Sequence, residues 1–233
     1  MQRDLIIVDN FYQNPGKIAA YALKSLHQRH CTPYNKPGDG KTIRWRTTWF
    51  QSAEQCPFKS SRKLIKKLQY LTGEKIDLHH WRLGYPIDEN GRPTKNHASI
   101  EKTAWFNCCF HVKHPQAKGD LVHDHTDNDT WNACGKFGWA GLVYLNEDAP
   151  RDGGLCTWRH LKGRNEDRYA PKENWELVDS LANVYNRLIL HRGCIPHSGS
   201  AGWGSTIEDG RLFQTFFFKT KPSQRNPLDI ALE

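Results

Sequence analysis

LVHDHTDNDTWNACGKFGWAGLVYLN, residues Leu121–Asn146, couples a segment rich in histidine and aspartate to an apolar run that reads as a strand. If Val122–Asp127 is extended, alternation with period two turns His123, His125 and Asp127 to one side. Three such groups are too polar for an ordinary core strand, because each buried group without a partner costs roughly 1–3 kcal/mol. A metal ion would remove that cost. Farther along, NRLILHRGCIPHS (Asn186–Ser198) can return one more imidazole, His197, to the same place.

The chain as a whole has the character of one soluble domain. Its 233 residues suffice for a sizeable core, and 9 Trp, 10 Phe and 8 Tyr make that core aromatic. No apolar run approaches the length of a membrane span, and the patch in MQRDLIIVDNFY is too short for a signal peptide. The 7 cysteines form no C-x-x-C pair and are odd in number, which argues against a disulfide framework or a structural zinc site. A cytoplasmic protein with reduced thiols is expected, with no membrane partner. The net charge of +8 would suit an acidic partner such as nucleic acid, but it is dispersed, so that partner is not favoured. The densest basic run, Lys59–Lys67, lies on a helix pattern with Leu64, Ile65, Leu68 and Leu71 at helical spacing and reads as a solvated face.

Residues 4–9 read as a short strand. Asn14 and Pro15 then open a helix whose stripe is Ile18, Ala19, Ala22 and Leu26. A second helix spans about Ser60–Leu71 and stops at Gly73. From Ile76 the texture changes to short β-branched and aromatic runs between Gly, Pro, Asn and Asp breaks. The strands are expected at Ile76–Tyr85, Thr103–Val112, Leu121–His125, Gly138–Asn146, Gly154–His160, Val184–His191 and Arg211–Thr220, with a helix at about Lys172–Leu181. The expected fold is mainly β, a sandwich, barrel or jelly roll. We expect one domain over 1–233: a helical N-terminal part (1–75), a β core (76–220) and a loosely held tail (221–233).

The marks now stand in order: His125-x-Asp127, VYLN (Val143–Asn146), an acidic turn with Gly153-Gly154, then His197 and RLFQTFFF from Arg211. Together they resemble the 2-oxoglutarate/Fe(II)-dependent dioxygenase superfamily, in particular its prolyl-hydroxylase-like branch. The opening VDNFYQNP resembles poorly characterised bacterial and viral members. The resemblance covers about Thr103–Lys219. It implies a double-stranded β-helix (jelly roll) with the N-terminal helices packed on one sheet. It also implies Fe(II) held by His125, Asp127 and His197, with 2-oxoglutarate and dioxygen as co-substrates. Two imidazoles and a carboxylate leave coordination positions open, which is what that chemistry needs. The implied substrate is a peptide side chain or an amino-acid-like small molecule, which the enzyme hydroxylates.

Arg211 opens an apolar strand, where a buried arginine needs an anion, and its planar fork suits the far carboxylate of 2-oxoglutarate. By the resemblance Tyr144 supplies a hydroxyl to the same carboxylate. Thr215, four residues along the same face from Arg211, is a further candidate contact. Two alternatives stay open. An oxidative demethylase or hydroxylase of nucleic acid would use the Arg/Trp stretch Arg44–Trp49. A cupin-like metalloprotein would bind through His123, His125 and His197, whereas the dioxygenase reading leaves His123 beside the metal or on the substrate side.

Overall fold

The computed structural model describes residues 4–28, 32–33, 46–49, 56–83, 106–115, 122–126, 134–162 and 172–221. Asp127, Arg44 and the expected tail beyond Lys221 lie outside the described residues. Among those described, no helix is long and apolar enough to cross a membrane.

The architecture is mainly β with antiparallel sheets, as in a jelly roll. Its strands are β1 (Leu5–Val8), β2 (Thr32–Pro33), β3 (Arg46–Trp49), β4 (Lys75–Ile76), β5 (Phe110–Lys113) and β6 (Trp139–Tyr144), followed by β7 (Leu155–His160), β8 (Trp175–Leu181), β9 (Leu188–Arg192), β10 (His197–Gly199), β11 (Arg211–Phe218) and β12 (Thr220–Lys221). A seven-stranded sheet runs β1-β9-β6-β11-β5-β3-β2, and a three-stranded sheet runs β10-β7-β8. The large sheet recruits β1, β2 and β3 from the N-terminal part, so the β core begins earlier in the chain than its dense strand pattern suggests.

Alternation along the central strands sorts their side chains onto two faces. Phe110 and Val112 of β5, Trp139 and Val143 of β6, Leu188 and Leu190 of β9, and Leu212, Phe216 and Phe218 of β11 belong to one buried apolar cluster. Four helices, α1 (Pro15–Gln28), α2 (Pro57–Ser60), α3 (Arg62–Thr72) and α4 (Leu78–Arg82), contribute Ala22, Leu26, Phe58, Leu64, Leu68 and Trp81 to it. Trp81 stacks on Phe216 with an interplanar angle of 10°. Truncating a buried aromatic of this kind costs about 3–5 kcal/mol. The intervening residues, among them Lys113, Leu142, His191, Arg211, Phe213, Thr215 and Phe217, line a cavity on the other face.

Local chemistry explains where the helices begin and end. Ser61 caps α3 by accepting from the Leu64 amide, and Gly73 ends it at φ 71°, a left-handed position that glycine adopts without a steric penalty.

Four expectations fail. The strand expected over Leu121–His125 leaves, among the described residues, only an isolated bridge at His123, and the one expected over Thr103–Val112 starts only at Phe110, after a turn at Phe106–Cys108. The strand expected over Ile76–Tyr85 is cut to β4, because the Asp77 carboxylate accepts from the His79 and His80 amides and starts α4. The helix expected at Lys172–Leu181 is a single 3-10 turn, Lys172–Asn174, followed by β8. Glu176–Ser180 of β8 is exposed on the outside of the small sheet, so its apolar residues give no clean period from which to tell strand from helix.

Candidate metal and anion site

The site is assembled from strands that are far apart in sequence. His123 forms an antiparallel bridge with His197: each backbone amide donates to the other's carbonyl, at 3.0 and 2.8 Å. Two residues on, the His125 amide donates to Gly193 O at 2.7 Å. These bonds hold both histidines against the turn between β9 and β10. The metal-capable atoms of His123, His125 and His197 all lie within 4.8 Å of one another.

Geometry and electrostatics both favour a cation at this point. His197 donates from Nδ1 to Ile195 O at 3.0 Å, which leaves its Nε2 lone pair facing inward. That nitrogen is 3.1 Å from His125 Nε2. Two imidazole nitrogens bound at right angles to one ion, each about 2.1 Å away, stand about 3 Å apart. The donor set therefore fits a shared metal ion. Burial, reinforced by His191, His123 and His125, lowers the His197 pKa far below that of ordinary histidine. A neutral imidazole is the form that binds metal.

From this cluster a cavity of about 90 Å³ runs along β11 to Arg211. Phe217 packs edge-on to His125 at one end, with ring centroids 4.9 Å apart. Arg211 closes the other end and is 1 % exposed. Its Nη1 donates to Ser200 O at 2.7 Å and its Nη2 to Gly154 O at 3.0 Å, while Nε has no hydrogen-bond partner. No carboxylate among the described residues lies within ion-pair distance of it. The second glycine of the Gly-Gly pair has a steric reason: a Cβ on Gly154 would stand 1.7 Å from Leu181 O.

The other residues singled out in the sequence fall around this axis. Tyr144 is fully buried beside Arg211, whose guanidinium carbon is 5.6 Å from the ring centre. Its hydroxyl has no hydrogen-bond partner among the described residues, and Tyr144 does not itself line the cavity. Burial raises its pKa against the pull of Arg211. Thr215 lines the cavity, but its hydroxyl already donates to Phe106 O at 2.6 Å and meets His111 Nε2 at 2.9 Å. His123 sits with His125 and His197 at the metal-capable cluster, and Asp127 lies outside the described residues.

Sequence reasoning missed two lining residues. His191 packs against His197 with centroids 4.2 Å apart, donates from Nδ1 to Arg192 O, and has its pKa pushed down to about 4 by burial, with His123 adding to the shift. Lys113 is 2 % exposed and donates to Ser200 O. The available signal was a polar residue on the alternate face of an otherwise apolar strand: LILHR for His191, FHVK for Lys113.

No family model matches the sequence, and no curated protein matches it. Solved structures do. The chain is similar to the non-heme alpha ketoglutarate dependent epimerase SnoN from nogalamycin biosynthesis, at 12% identity and TM-score 0.53 over 92% of this chain and 76% of that one. SnoN has also been solved in complex with Fe3+, alpha ketoglutarate and nogalamycin RO. HygX from Streptomyces hygroscopicus, with nickel and 2-oxoglutarate bound, aligns at 9% identity and TM-score 0.50 over 96% of this chain and 84% of that one. At such identities the likeness establishes a shared fold. A prolyl-4-hydroxylase from Pseudomonas putida aligns at TM-score 0.47, with 15% identity over 94% of this chain and 93% of that one, and adds nothing to that assignment.

Proposed function

We propose that the chain is an Fe(II)- and 2-oxoglutarate-dependent oxygenase that hydroxylates a peptide side chain or an amino-acid-like molecule, with His125, Asp127 and His197 as metal ligands. The observation that carries this reading is the buried Arg211, bonded only to carbonyls, in the same cavity as a cluster of metal-capable imidazoles. A 2-oxo dicarboxylate complements both ends. Its keto acid head suits a metal at the histidines, and its far carboxylate suits the arginine fork. The fold shared with SnoN and HygX is consistent with it.

Bound iron would supply a redox centre at which dioxygen oxidises substrate while 2-oxoglutarate is decarboxylated to succinate. The protein's own contribution is positional. The Ile195 carbonyl fixes the His197 tautomer, and Ser200 and Gly154 aim the guanidinium. Leu142, Leu155 and Phe213 keep the space between them apolar, so the charge contact there is only weakly screened. In this reading the helices brace the opposite face of the large sheet.

The test is anaerobic binding of Fe(II) and then 2-oxoglutarate, followed by a screen for succinate release across peptides, amino acids and oligonucleotides. Binding of both, with turnover on a peptide or amino acid, is expected; release with oligonucleotides alone would move the substrate class to nucleic acid. One observation favours a second ligand set, a three-histidine centre: the clustering of His123 with His125 and His197. Asp127→Ala is expected to lose iron and His123→Ala to keep it; the opposite result would establish the three-histidine centre.

A further inference from the structure

The helix side of the large sheet carries a second cavity, which the keto acid reading leaves unused. A cleft of about 570 Å³ opens between α1, α3 and the segment leading into α1. Phe11, Tyr12 and Phe58 give it an aromatic wall, and Lys17, Lys63 and Lys67 stand around that wall. It shares no lining residue with the cavity at Arg211. The sheet lies between the two. Tyr12 donates to Gln214 Oε1, and Gln214 alternates along β11 with Phe213 and Thr215, which face the keto acid cavity.

The charges at this cleft are all of one sign. None of the described residues lining it is acidic. Lys17 and Lys63 are exposed on the first turns of α1 and α3, and neither turn carries an acid. Lys63 and Lys67 stand four residues apart on α3, a spacing at which like charges repel. Burial, with Lys63 adding to it, lowers the Lys67 pKa. The Lys67 ammonium donates to Phe11 O and lies 4.6 Å from the centre of the Phe11 ring, which holds it against the aromatic wall. An anion between these heads would relieve their repulsion, and an apolar body attached to it would cover the wall. The volume falls within the range of small-molecule sites, about 300–1,000 Å³.

We infer that the cleft between α1 and α3 is a second ligand site, which binds a small organic anion: a carboxylate carried on an apolar body. The lysines take the carboxylate and the aromatic wall takes the body. Neither the metal nor 2-oxoglutarate takes part, so this site stands or falls apart from the oxygenase reading.

Octanoate is the probe, titrated calorimetrically into the full chain with and without Fe(II), beside acetate (the charge alone) and 1-octanol (the apolar body alone). Octanoate should saturate one site per chain whether or not iron is present, and each half should bind at least about tenfold more weakly. Lys63→Glu should weaken octanoate roughly tenfold, whereas Lys66→Glu, the same charge change on the same helix outside the cleft, should leave it within about twofold. The Lys63→Glu change sets an acid one turn before Lys67, the favourable order for an ion pair, so α3 should keep its stability. No saturable binding of octanoate, a requirement for Fe(II), octanol binding as tightly as octanoate, or equal losses in the two variants would overturn the assignment.

Discussion

Two buried arginines sit on opposite faces of the same sheet, and they have been given opposite surroundings. Arg192, at the end of β9, is 3 % exposed and neutralised in place: Nη2 pairs with Glu74 Oε1 at 2.5 Å and Nη1 with Oε2 at 3.1 Å. Its guanidinium lies 4.0 Å over Trp139, Phe137 O takes a further bond, and Trp139 and Thr220 also donate to Glu74. Arg211 is as deeply buried and meets carbonyls alone. The first is a finished structural clamp joining β9, β6, β12 and the turn after α3. The second is a charge whose neutraliser is not among the described residues. The difference is between an arginine with its counter-ion in place and one whose charge is met by carbonyls alone.

The largest effect is expected from removing Glu74. Glu74→Ala takes the bidentate carboxylate from Arg192 and leaves Asp4, 3.7 Å from Nε, as a weaker partner; loss of one partner of a buried pair costs about 3–5 kcal/mol. For a chain of 233 residues that lowers the unfolding midpoint by roughly 6–20 °C. Thermal unfolding followed by circular dichroism checks it. A shift below about 2 °C would mean that the clamp holds little.

Arg211→Met sharpens the contrast. It replaces a charge paired only with carbonyls by an apolar chain of similar reach, so the ligand-free protein should change by no more than about 1 kcal/mol in either direction. The same scan, run without keto acid, reads the result. A loss as large as that of Glu74→Ala would make Arg211 a structural residue too.

The smallest effect is in the pH profile. Burial alone would raise the Glu74 carboxyl, but hydrogen bonds from Arg192, Thr220 and Trp139 outweigh it and hold the group below the usual carboxylate range. A depressed folded-state pKa stabilises the protein above the unfolded value, near 4.3, and that stability is lost as pH falls through the folded value. Wild-type protein should therefore be more stable than Glu74→Gln at pH 7, with the gap closing below about pH 4.3. A gap that stays constant to pH 3 would contradict the assignment.

Much of this contrast could be read in the sequence, for reasons that differ by residue. Arg211 was legible because it begins a strand dominated by apolar and aromatic residues, where a charge is conspicuous. His125 and His197 were legible from the ordered marks around them. The second helix and its Gly73 stop followed from composition. The Arg192–Glu74 clamp was not, since its partners are 118 residues apart and nothing local marks either of them. Lys113 and His191 were passed over for a related reason: each makes sense only once β5, β9 and β11 are in register. The extent of α4 and β8 was hidden by a single capping aspartate and by an exposed edge.

What Arg211 binds decides whether the cavity is a co-substrate site. Calorimetric titration of anaerobic, Fe(II)-loaded wild-type and Arg211→Ala protein with 2-oxoglutarate addresses that directly. Iron affinity should be equal in the two proteins. Keto acid affinity should fall between tens and thousands of fold in the variant, because truncating one partner of a desolvated charge pair costs about 2–5 kcal/mol. Equal affinity for 2-oxoglutarate in both proteins would contradict the central claim.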